Sequence, residues 1–332
     1  MGAVTIRTLR PAELAEFRAF CEAAWGKPHP LIHNPDLFDY YYRAPDGSLR
    51  FAVAADESGL LSVCGWLPAS SRPDADLWLS FLVSKKGAPP ALSLRLIEFI
   101  RSHTGCRTIG CNNIRPKTRA LYEFFGFTVG EMTQYYRIND SISQYTICKI
   151  AESANAPLET AGAAIRRLEG PAELAEFDFE GCDEDKPHKD RAYFQKRYFD
   201  NPWLRYQVYA LDEGGKPAAL LVLRLVGTKD AAALRVVDFL GSSERIPCFG
   251  PFLDRLMRQC GAQFADWYAF GVPDALMYRA GFLPRRKDSP NILPNYLEPP
   301  LMENVDFTLF TSDPEGYRMF KADGDQDRAN LG

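Results

Sequence analysis

A short loop between a predicted strand and a predicted helix carries two lysines and a glycine. The loop has the sequence SKKGAPP over residues 84–90 and joins the apolar strand Leu77–Val83 to an amphipathic helix over Ala91–His103. Backbone N–H groups converge at the start of a helix, where the helix dipole also favours an anion. The lysine charges and the close approach that glycine allows therefore predict a phosphate cradle. The alternative is a helix started by two prolines beside solvated lysines, because proline has no N–H to donate.

Aromatic side chains are frequent in the same half of the chain. Their flat faces suit a sugar ring or a base, but burial in a core is their usual role, so both roles stay open. The residues concerned are Trp25, Tyr40, Tyr41, Tyr42, Trp66 and Trp78.

Composition excludes several classes of function. The net charge is −4 and the longest basic run is Arg285 to Lys287, which argues against binding to nucleic acid. No stretch reaches the ~18 apolar residues of a membrane span, and charges from Arg7 onward argue against a signal peptide. The eight cysteines form no CxxC pair and no metal-ligand spacing. We expect a cytoplasmic protein with reduced cysteines and no metal.

An internal repeat points to two domains. The heptapeptide PAELAEF occurs at Pro11–Phe17 and again at Pro171–Phe177, each time after a strand-like segment. Common helix formers after a proline could produce part of this identity. The length of 332 residues also fits two domains, so we favour duplication.

Both halves predict the same order of elements: strand, two helices, three strands, helix, strand, helix, strand. We assign residues 1–150 to the first domain and 164–332 to the second. The small, polar segment 151–163 reads as a linker. From Asp313 the chain becomes polar and acidic, which predicts a surface-lying tail.

The segment NIRPKTRALYEFFGF (113–127) resembles the Asn…Leu-Tyr-x-x-x-Gly-Phe signature of the GNAT acyltransferase superfamily. The residues that match one by one are Leu121, Tyr122, Gly126 and Phe127. Asn113 lies two residues further from Tyr122 than the signature requires. A helix that ends at a glycine C-cap would give part of the same pattern. The segment ALMYRAGF (275–282) resembles the signature more weakly, because Tyr278 is one residue closer to Gly281.

This resemblance implies an α/β fold of the α+β type. It would contain two tandem GNAT-like domains, each a mixed, mostly antiparallel sheet flanked by helices. It also implies acetyl-CoA or another acyl-CoA as the cofactor, although SKKGAPP departs from the register of the family's phosphate loop. The residues expected at the cofactor are Leu82, Val83, Lys85, Lys86, Gly87, Ala88 and Asn113.

The resemblance further implies direct transfer of the acyl group to an amine. Tyr122 is expected to protonate the departing thiolate, and backbone N–H groups near Phe81–Val83 to stabilise the oxyanion. A buried core tyrosine is the alternative for Tyr122. The sequence marks no base, and Asp36 is one candidate. The residues expected at the acceptor are His29, His33, Asn34, Trp66 and Trp78.

The second half predicts a weaker cofactor site. Its corresponding loop, GSSERIP (241–247), carries Glu244, which repels phosphate, although Arg245 offsets this charge. We therefore expect a degenerate second domain. Asp238 and Asp266 are remote candidates for a polar role there.

The preferred function is an N-acyltransferase that acts on a small amine, such as a nucleotide-linked amino sugar. Both halves are also similar to acyltransferase-like proteins of surface-polysaccharide pathways. A scaffolding or binding protein with this fold is the first alternative, because a fold does not establish a function. An aminoacyl transferase is the second, but the sequence lacks the basic surface or added helical arms expected for it.

Overall fold

The structure is a computed structural model that describes residues 3–89, 91–159, 163–182 and 185–329. The chain folds into two compact units. Unit 1 comprises Met1–Val129, Phe310–Pro314 and Gly324–Gly332, and unit 2 comprises Gly130–Leu309 and Glu315–Asp323. No helix among the described residues is long and apolar enough to cross a bilayer.

The first part of the chain alternates strands with helices. Its elements are β1 (Thr5–Thr8), α1 (Leu14–Trp25), α2 (Pro30–His33), α3 (Pro35–Tyr42), β2 (Phe51–Asp56), β3 (Gly59–Pro68), β4 (Leu77–Ser84), α4 (Ala91–Thr104), β5 (Ile109–Ile114), α5 (Arg119–Phe124) and β6 (Thr128–Ile138).

The remaining elements follow a similar order. They are β7 (Ala164–Arg167), α6 (Arg191–Phe194), β8 (Gln207–Glu213), β9 (Lys216–Gly227), β10 (Ala232–Gly241), α7 (Ile246–Gln259), β11 (Phe264–Phe270), α8 (Asp274–Arg279), β12 (Leu283–Pro284), β13 (Phe307–Thr311) and β14 (Met319–Phe320).

In unit 1 the strands are ordered β1-β2-β3-β4-β5, with antiparallel pairs except for the parallel pair β4–β5. Alternate side chains of a strand face opposite sides of the sheet. On one side Phe51 contacts Phe17 of α1, with ring centroids 4.8 Å apart. On the other side Ala52 joins the apolar cluster under α4. At the far edge of β5, Ser312 N donates to Ile109 O at 2.8 Å.

In unit 2 the strands are ordered β6-β11-β10-β9-β8-β7, and only β10–β11 is parallel. Helix α7 packs its apolar face on this sheet, where Phe249 and Leu253 are fully buried. The predicted class, a mixed and mostly antiparallel sheet flanked by helices, is confirmed.

The compact units differ from the expected ranges. Strand β6 was expected to end the first domain, but from Gly130 onward it lies in unit 2 because it pairs with β11. The expected linker also packs there: Asn155 Oδ1 accepts from Ile138 N at 2.8 Å, while residues 160–162 lie outside the described ones. The polar tail is not a surface terminus throughout, because Met319–Asp323 are buried. The second copy of the repeat forms a 3-10 helix over Pro171–Glu176, whereas the first leads into α1.

We expect Gly65→Ala to destabilise unit 1. A Cβ at this position of β3 would lie 2.8 Å from Phe51 Cζ and 3.1 Å from Ser80 O. Phe51 cannot move aside easily, because it is fully buried among aromatic rings. Overpacking of this kind costs about 1–3 kcal/mol, measurable as a lower denaturant midpoint. The control is Gly170→Ala, where the backbone is extended and the added Cβ meets no atom within 4 Å. Equal midpoints for both variants would contradict the prediction.

Candidate functional site

Strands β4 and β5 separate soon after they meet. They pair only at Leu77–Ile109 and Trp78–Gly110. Among the described residues, no other strand pairs with β4 or β5 on the edges that face each other beyond these positions. The Cys111 thiol reaches back toward β4 and donates to Leu79 O at 3.4 Å. Backbone polar groups on both strands therefore line a wedge that opens toward the end of β4.

A β-bulge bends β4 at the start of this wedge. Phe81 and Leu82 lie opposite the single residue Cys64, because the register shifts between Val63 and Gly65. Phe81 has a φ of 52°, which is strained for a residue with a side chain. Its ring is held by Trp25, with centroids 5.3 Å apart. Strain of this kind persists only where the surrounding structure imposes it.

The predicted phosphate loop follows directly at the end of β4. Lys85 N donates to Leu61 O at 2.8 Å, and Ala88 N donates to Lys85 O at 3.0 Å, which closes a turn. Gly87 has a φ of 85°, and a Cβ on it would meet no atom within 4 Å. Lys85 and Lys86 are exposed. Pro90, which the loop was expected to include, lies outside the described residues.

Tyr122 lies in the apolar cluster under α4, to which β4 and β5 also contribute. Its ring centroid is 4.4 Å from that of Phe310. Burial raises the pKa of the phenol above its ordinary range, with smaller contributions from Cys111 and Cys64. The described residues offer the phenolic oxygen no hydrogen-bond partner. The phenol is therefore protonated at neutral pH and free to donate.

The Gly-Phe part of the signature has a structural role. Gly126 ends α5 with a φ of 83°, in the left-handed region, and Phe127 N then donates to Tyr122 O at 3.0 Å. This arrangement fixes which residue of α5 faces the core. Asn113 is also left-handed, with a φ of 62°, but its side chain is exposed at the end of β5. Leu82 and Val83 lie on β4, so most predicted cofactor residues line one continuous stretch of chain.

His29 belongs to a half-buried aromatic group on the opposite side of β4. Its ring centroid lies 5.3 Å from that of Trp25 and 5.0 Å from that of Phe81. The guanidinium of Arg115 lies 5.3 Å from the centre of the Trp25 ring. Burial, followed by the charge of Arg328, lowers the pKa of His29 to about 4. Its Nδ1 already accepts from Leu31 N at 3.3 Å, so the neutral ring presents Nε2–H as a donor.

The other predicted acceptor residues do not join His29. Asn34 caps α3, with its Oδ1 accepting from Leu37 N at 3.0 Å. His33 Nε2 lies 3.5 Å from Glu22 Oε2. Trp66 is buried under α4 on the opposite face of the sheet, beside His103. Trp78 is fully buried at the start of the wedge.

One polar group at the wedge has no local signal in the sequence. Ser80 Oγ donates to Asp325 Oδ2 at 2.7 Å and also bonds to Tyr42 OH at 2.6 Å. Asp325 comes from the carboxyl-terminal segment of unit 1, far along the chain from Ser80. Only the folded chain brings the two together.

In unit 2 the equivalent wedge is closed by the chain itself. Strands β10 and β11 pair from Leu234–Ala265 to Val236–Trp267. Beyond that point β14 pairs with β11 on the edge away from β6, because Ala269 has both Thr133 and Phe320 as neighbours. Ala322 N then donates to Val237 O at 2.9 Å. The inserted segment therefore occupies the space between β10 and β11.

The second signature also lacks a tyrosine at the inward position. Phe282 N donates to Met277 O at 3.0 Å, the bond that matches Phe127 to Tyr122. Met277 is thus the counterpart of Tyr122 and is fully buried, whereas Tyr278 is 49% exposed. The tyrosine of the second signature therefore lies on the exposed side of α8.

The aspartates singled out in unit 2 are held in buried ion pairs. Asp266 accepts two hydrogen bonds from Arg235, at 2.8 and 2.9 Å. Lys189 Nζ lies 2.5 Å from Asp238 and 2.6 Å from Asp323. These partners satisfy the carboxylates inside the unit. Across the described residues, no group of three or more His, Cys, Asp or Glu side chains could hold a metal ion.

No protein-family model and no curated protein matches the sequence. Solved structures match its fold. A GCN5-related N-acetyltransferase from Anabaena variabilis is 13% identical, with a TM-score of 0.57 over 93% of this chain and 72% of that chain. One from Kribbella flavida is 10% identical, with a TM-score of 0.56 over 93% and 71%. The glucosamine N-acetyltransferase region of a fungal GH3 β-N-acetylglucosaminidase is 14% identical, with a TM-score of 0.50 over 94% and 38%. The chain therefore has the GCN5-related N-acetyltransferase fold.

We expect His29 to stay neutral well below the pH at which an exposed histidine titrates. The folded pKa, about 4, lies below the unfolded value of 6.5. The stability that neutral His29 contributes is therefore complete above pH 6.5 and is lost as the pH falls toward 4. An NMR titration of the imidazole C2–H resonance should give a midpoint near 4 for His29.

His29→Asn identifies the resonance and keeps an oxygen that can accept from Leu31 N, as Asn34 does from Leu37. The variant should lose less stability than the parent between about pH 6.5 and pH 4.5, the interval in which an ordinary histidine becomes charged. A midpoint near 6.5 for His29 itself would show that burial does not control its charge.

Proposed function

We propose that unit 1 transfers an acyl group, with acetyl as the first candidate, from an acyl-CoA to the amine of a small acceptor. The observation that carries the proposal is the wedge between β4 and β5. Both strands contribute to the apolar cluster that contains Tyr122, and the turn at Gly87 follows directly after β4. The shared fold with GCN5-related N-acetyltransferases supports the same reading.

The residues at the wedge fit an acyl-CoA. The open space at Gly87 lets the backbone approach a phosphate, and the exposed Lys85 and Lys86 add positive charge. The backbone of Leu82 and Val83 offers polar groups along the edge of the wedge. Ala88 packs partly into the α4 cluster and anchors the turn. Asn113, exposed on β5, could bond the same ligand from the other side.

Acyl transfer forms an amide and a thiol, so one proton leaves the amine nitrogen and one reaches the sulfur. A bound acyl-CoA would supply the acyl group and the thiolate. Tyr122 would donate its phenolic proton at the sulfur, because burial keeps the phenol protonated and no described residue accepts from it. Backbone N–H groups of Phe81 to Val83, around the bulge, would donate to the acyl oxygen.

We also propose that unit 2 arose by tandem duplication and no longer binds the cofactor. PAELAEF recurs, and both α5 and α8 end in the same Gly-Phe turn. The wedge of unit 2 contains β14, and Met277 stands where a phenol would be needed. The chemistry would then be confined to unit 1.

An amino sugar, free or linked to a nucleotide, is the acceptor class that we favour. Trp25 and His29 offer a half-buried aromatic surface beside the bulge, and such surfaces with a few polar groups are typical of small-molecule sites. The fungal region with the same fold is a glucosamine N-acetyltransferase. Such an acceptor would suit a cytoplasmic step of surface-polysaccharide synthesis.

We expect one equivalent of acetyl-CoA to bind per chain in isothermal titration and to raise the melting temperature. The double variant Lys85→Ala/Lys86→Ala should bind about tenfold more weakly, because two exposed cation–phosphate contacts are worth roughly 1–2 kcal/mol together. The matched control is Lys216→Ala/Lys229→Ala, which removes two exposed lysines of unit 2. Binding of two equivalents would show that unit 2 is competent. No binding of acetyl-, succinyl- or palmitoyl-CoA would favour a scaffolding protein.

We expect Tyr122→Phe to lower kcat by about 10²–10⁴-fold, because the proton donor for the sulfur is removed. The KM for acetyl-CoA and the melting temperature should change little, since the phenol has no hydrogen-bond partner among the described residues. Steady-state release of free thiol measures the effect. Tyr278→Phe is the control, because this exposed tyrosine belongs to the second signature. Unchanged turnover in Tyr122→Phe would remove the phenol from the mechanism.

A further inference from the structure

The proposed reaction needs a group that takes a proton from the amine, and His29 is poorly suited to this task. Burial keeps its ring uncharged at neutral pH, so its Nε2 carries the hydrogen and offers no lone pair to the amine. Its Nδ1 is already bonded to Leu31 N. His33 Nε2 lies 3.5 Å from Glu22 Oε2, and Asp36 is exposed in the first turn of α3. None of these groups lies on β4 or β5.

The carboxyl-terminal segment supplies a carboxylate at the bulge. Gly324 lies against Trp78, where a Cβ would be 3.4 Å from Trp78 Cβ. The next residue, Asp325, accepts from Ser80 Oγ at 2.7 Å. Ser80 is the last paired residue of β4 before the bulge. The hydrogen bond therefore fixes the Asp325 carboxylate where β4 begins to turn away from β5.

The charge of Asp325 affects groups beside both β4 and β5. After burial, the charge of Asp325 is the next cause that raises the pKa of Tyr42, beside Ser80, and of Cys111 on β5. Cys111 in turn affects the phenol of Tyr122. Asp325 thus lies on the acceptor side of the wedge, and Tyr122 lies on the α4 side.

The carboxylate is positioned and still accessible. About 15% of its side-chain surface is exposed. Gln326 Nε2 donates to its Oδ1 at 2.7 Å, and Arg328 Nη1 lies 3.9 Å from the same oxygen. The charged or titratable groups that face it are His29, Tyr42, Cys111 and Arg328.

Building on the proposed function, we infer that Asp325 binds the acceptor as an ammonium ion and removes one of its protons. An N–H bond breaks, an O–H bond forms on the carboxylate, and the freed nitrogen lone pair attacks the acyl carbon. The second proton leaves the nitrogen as the amide forms and restores the Tyr122 phenol, which has protonated the sulfur. Asp325 then releases its proton to water. The site therefore selects primary aliphatic amines, which are cationic at neutral pH.

The test compares Asp325→Asn with Asp327→Asn, which removes the same charge from the same segment. Asp327 has a φ of 47°, a conformation that asparagine tolerates well. With acetyl-CoA and glucosamine, kcat should fall about 10²–10⁴-fold in Asp325→Asn and stay near the parent value in Asp327→Asn. Asp325→Glu should recover part of the loss. The defect should shrink between about pH 7 and pH 9.5, because more free amine is then present.

Binding separates this inference from the proposed function. Glucosamine should raise the melting temperature of the acetyl-CoA complex of the parent but not of Asp325→Asn, while acetyl-CoA binding stays equal in both. Equal responses to glucosamine, or turnover in Asp325→Asn close to that of the parent, would overturn the role of Asp325 alone. Failure of the parent to bind any acyl-CoA would overturn the proposed function as well. Asp325→Asn could melt well below the parent without ligand. In that case the pH dependence of kcat and the recovery in Asp325→Glu distinguish a catalytic role from a structural one, because a purely structural defect would show neither.

Discussion

The separation of two parallel strands is the constraint on which both units depend. Backbone N–H and C=O groups on the facing edges must be satisfied by protein, water or ligand. In unit 2 the chain itself supplies hydrogen-bond partners for these groups, because β14 pairs with β11 and Ala322 bonds to β10. In unit 1 no described strand fills the edges of β4 and β5 beyond Trp78 and Gly110. The same local geometry is thus bridged by a strand in unit 2 and by no described strand in unit 1.

Buried charge maintains the closed wedge. Lys189 lies between Asp238 and Asp323, and Phe320 N donates to Asp323 at 2.8 Å, which ties β14 to the cluster. Burial raises the pKa of Asp323 to about 6; Lys189 opposes this shift and the Asp238 carboxylate adds to it. Removing one member of such a buried pair typically costs about 3–5 kcal/mol. In unit 1 the Asp325 carboxylate, which accepts from Ser80, stays partly exposed, and Arg328 Nη1 lies 3.9 Å from it.

Features set by short-range chemistry could be predicted from the sequence. The apolar run of β4, the amphipathic helix α4 and the glycine that ends α5 follow from periodicity and backbone preference. Features that depend on residues far apart in the sequence could not be predicted. Trp66 and Trp78 are equally aromatic, and only strand register decides that they face opposite sides of the sheet. Likewise, no local sequence pattern connects Asp325, in a polar tail, with Ser80. Tyr278 resembles Tyr122 in the sequence, and only the hydrogen bonds at the two helix ends show that Met277 is the counterpart.

Unit 1 is assembled from three separate stretches of chain. Phe310, which packs on Tyr122, and Asp325, which bonds to Ser80, are both encoded far downstream of β5. A gene fragment that ends after residue 150 would therefore lack the ring behind the phenol and the carboxylate beside the bulge. Recombination at a single crossover cannot exchange this unit intact between relatives. Substitutions in the early and late segments of unit 1 should therefore be coupled, although most of unit 2 lies between them in the sequence.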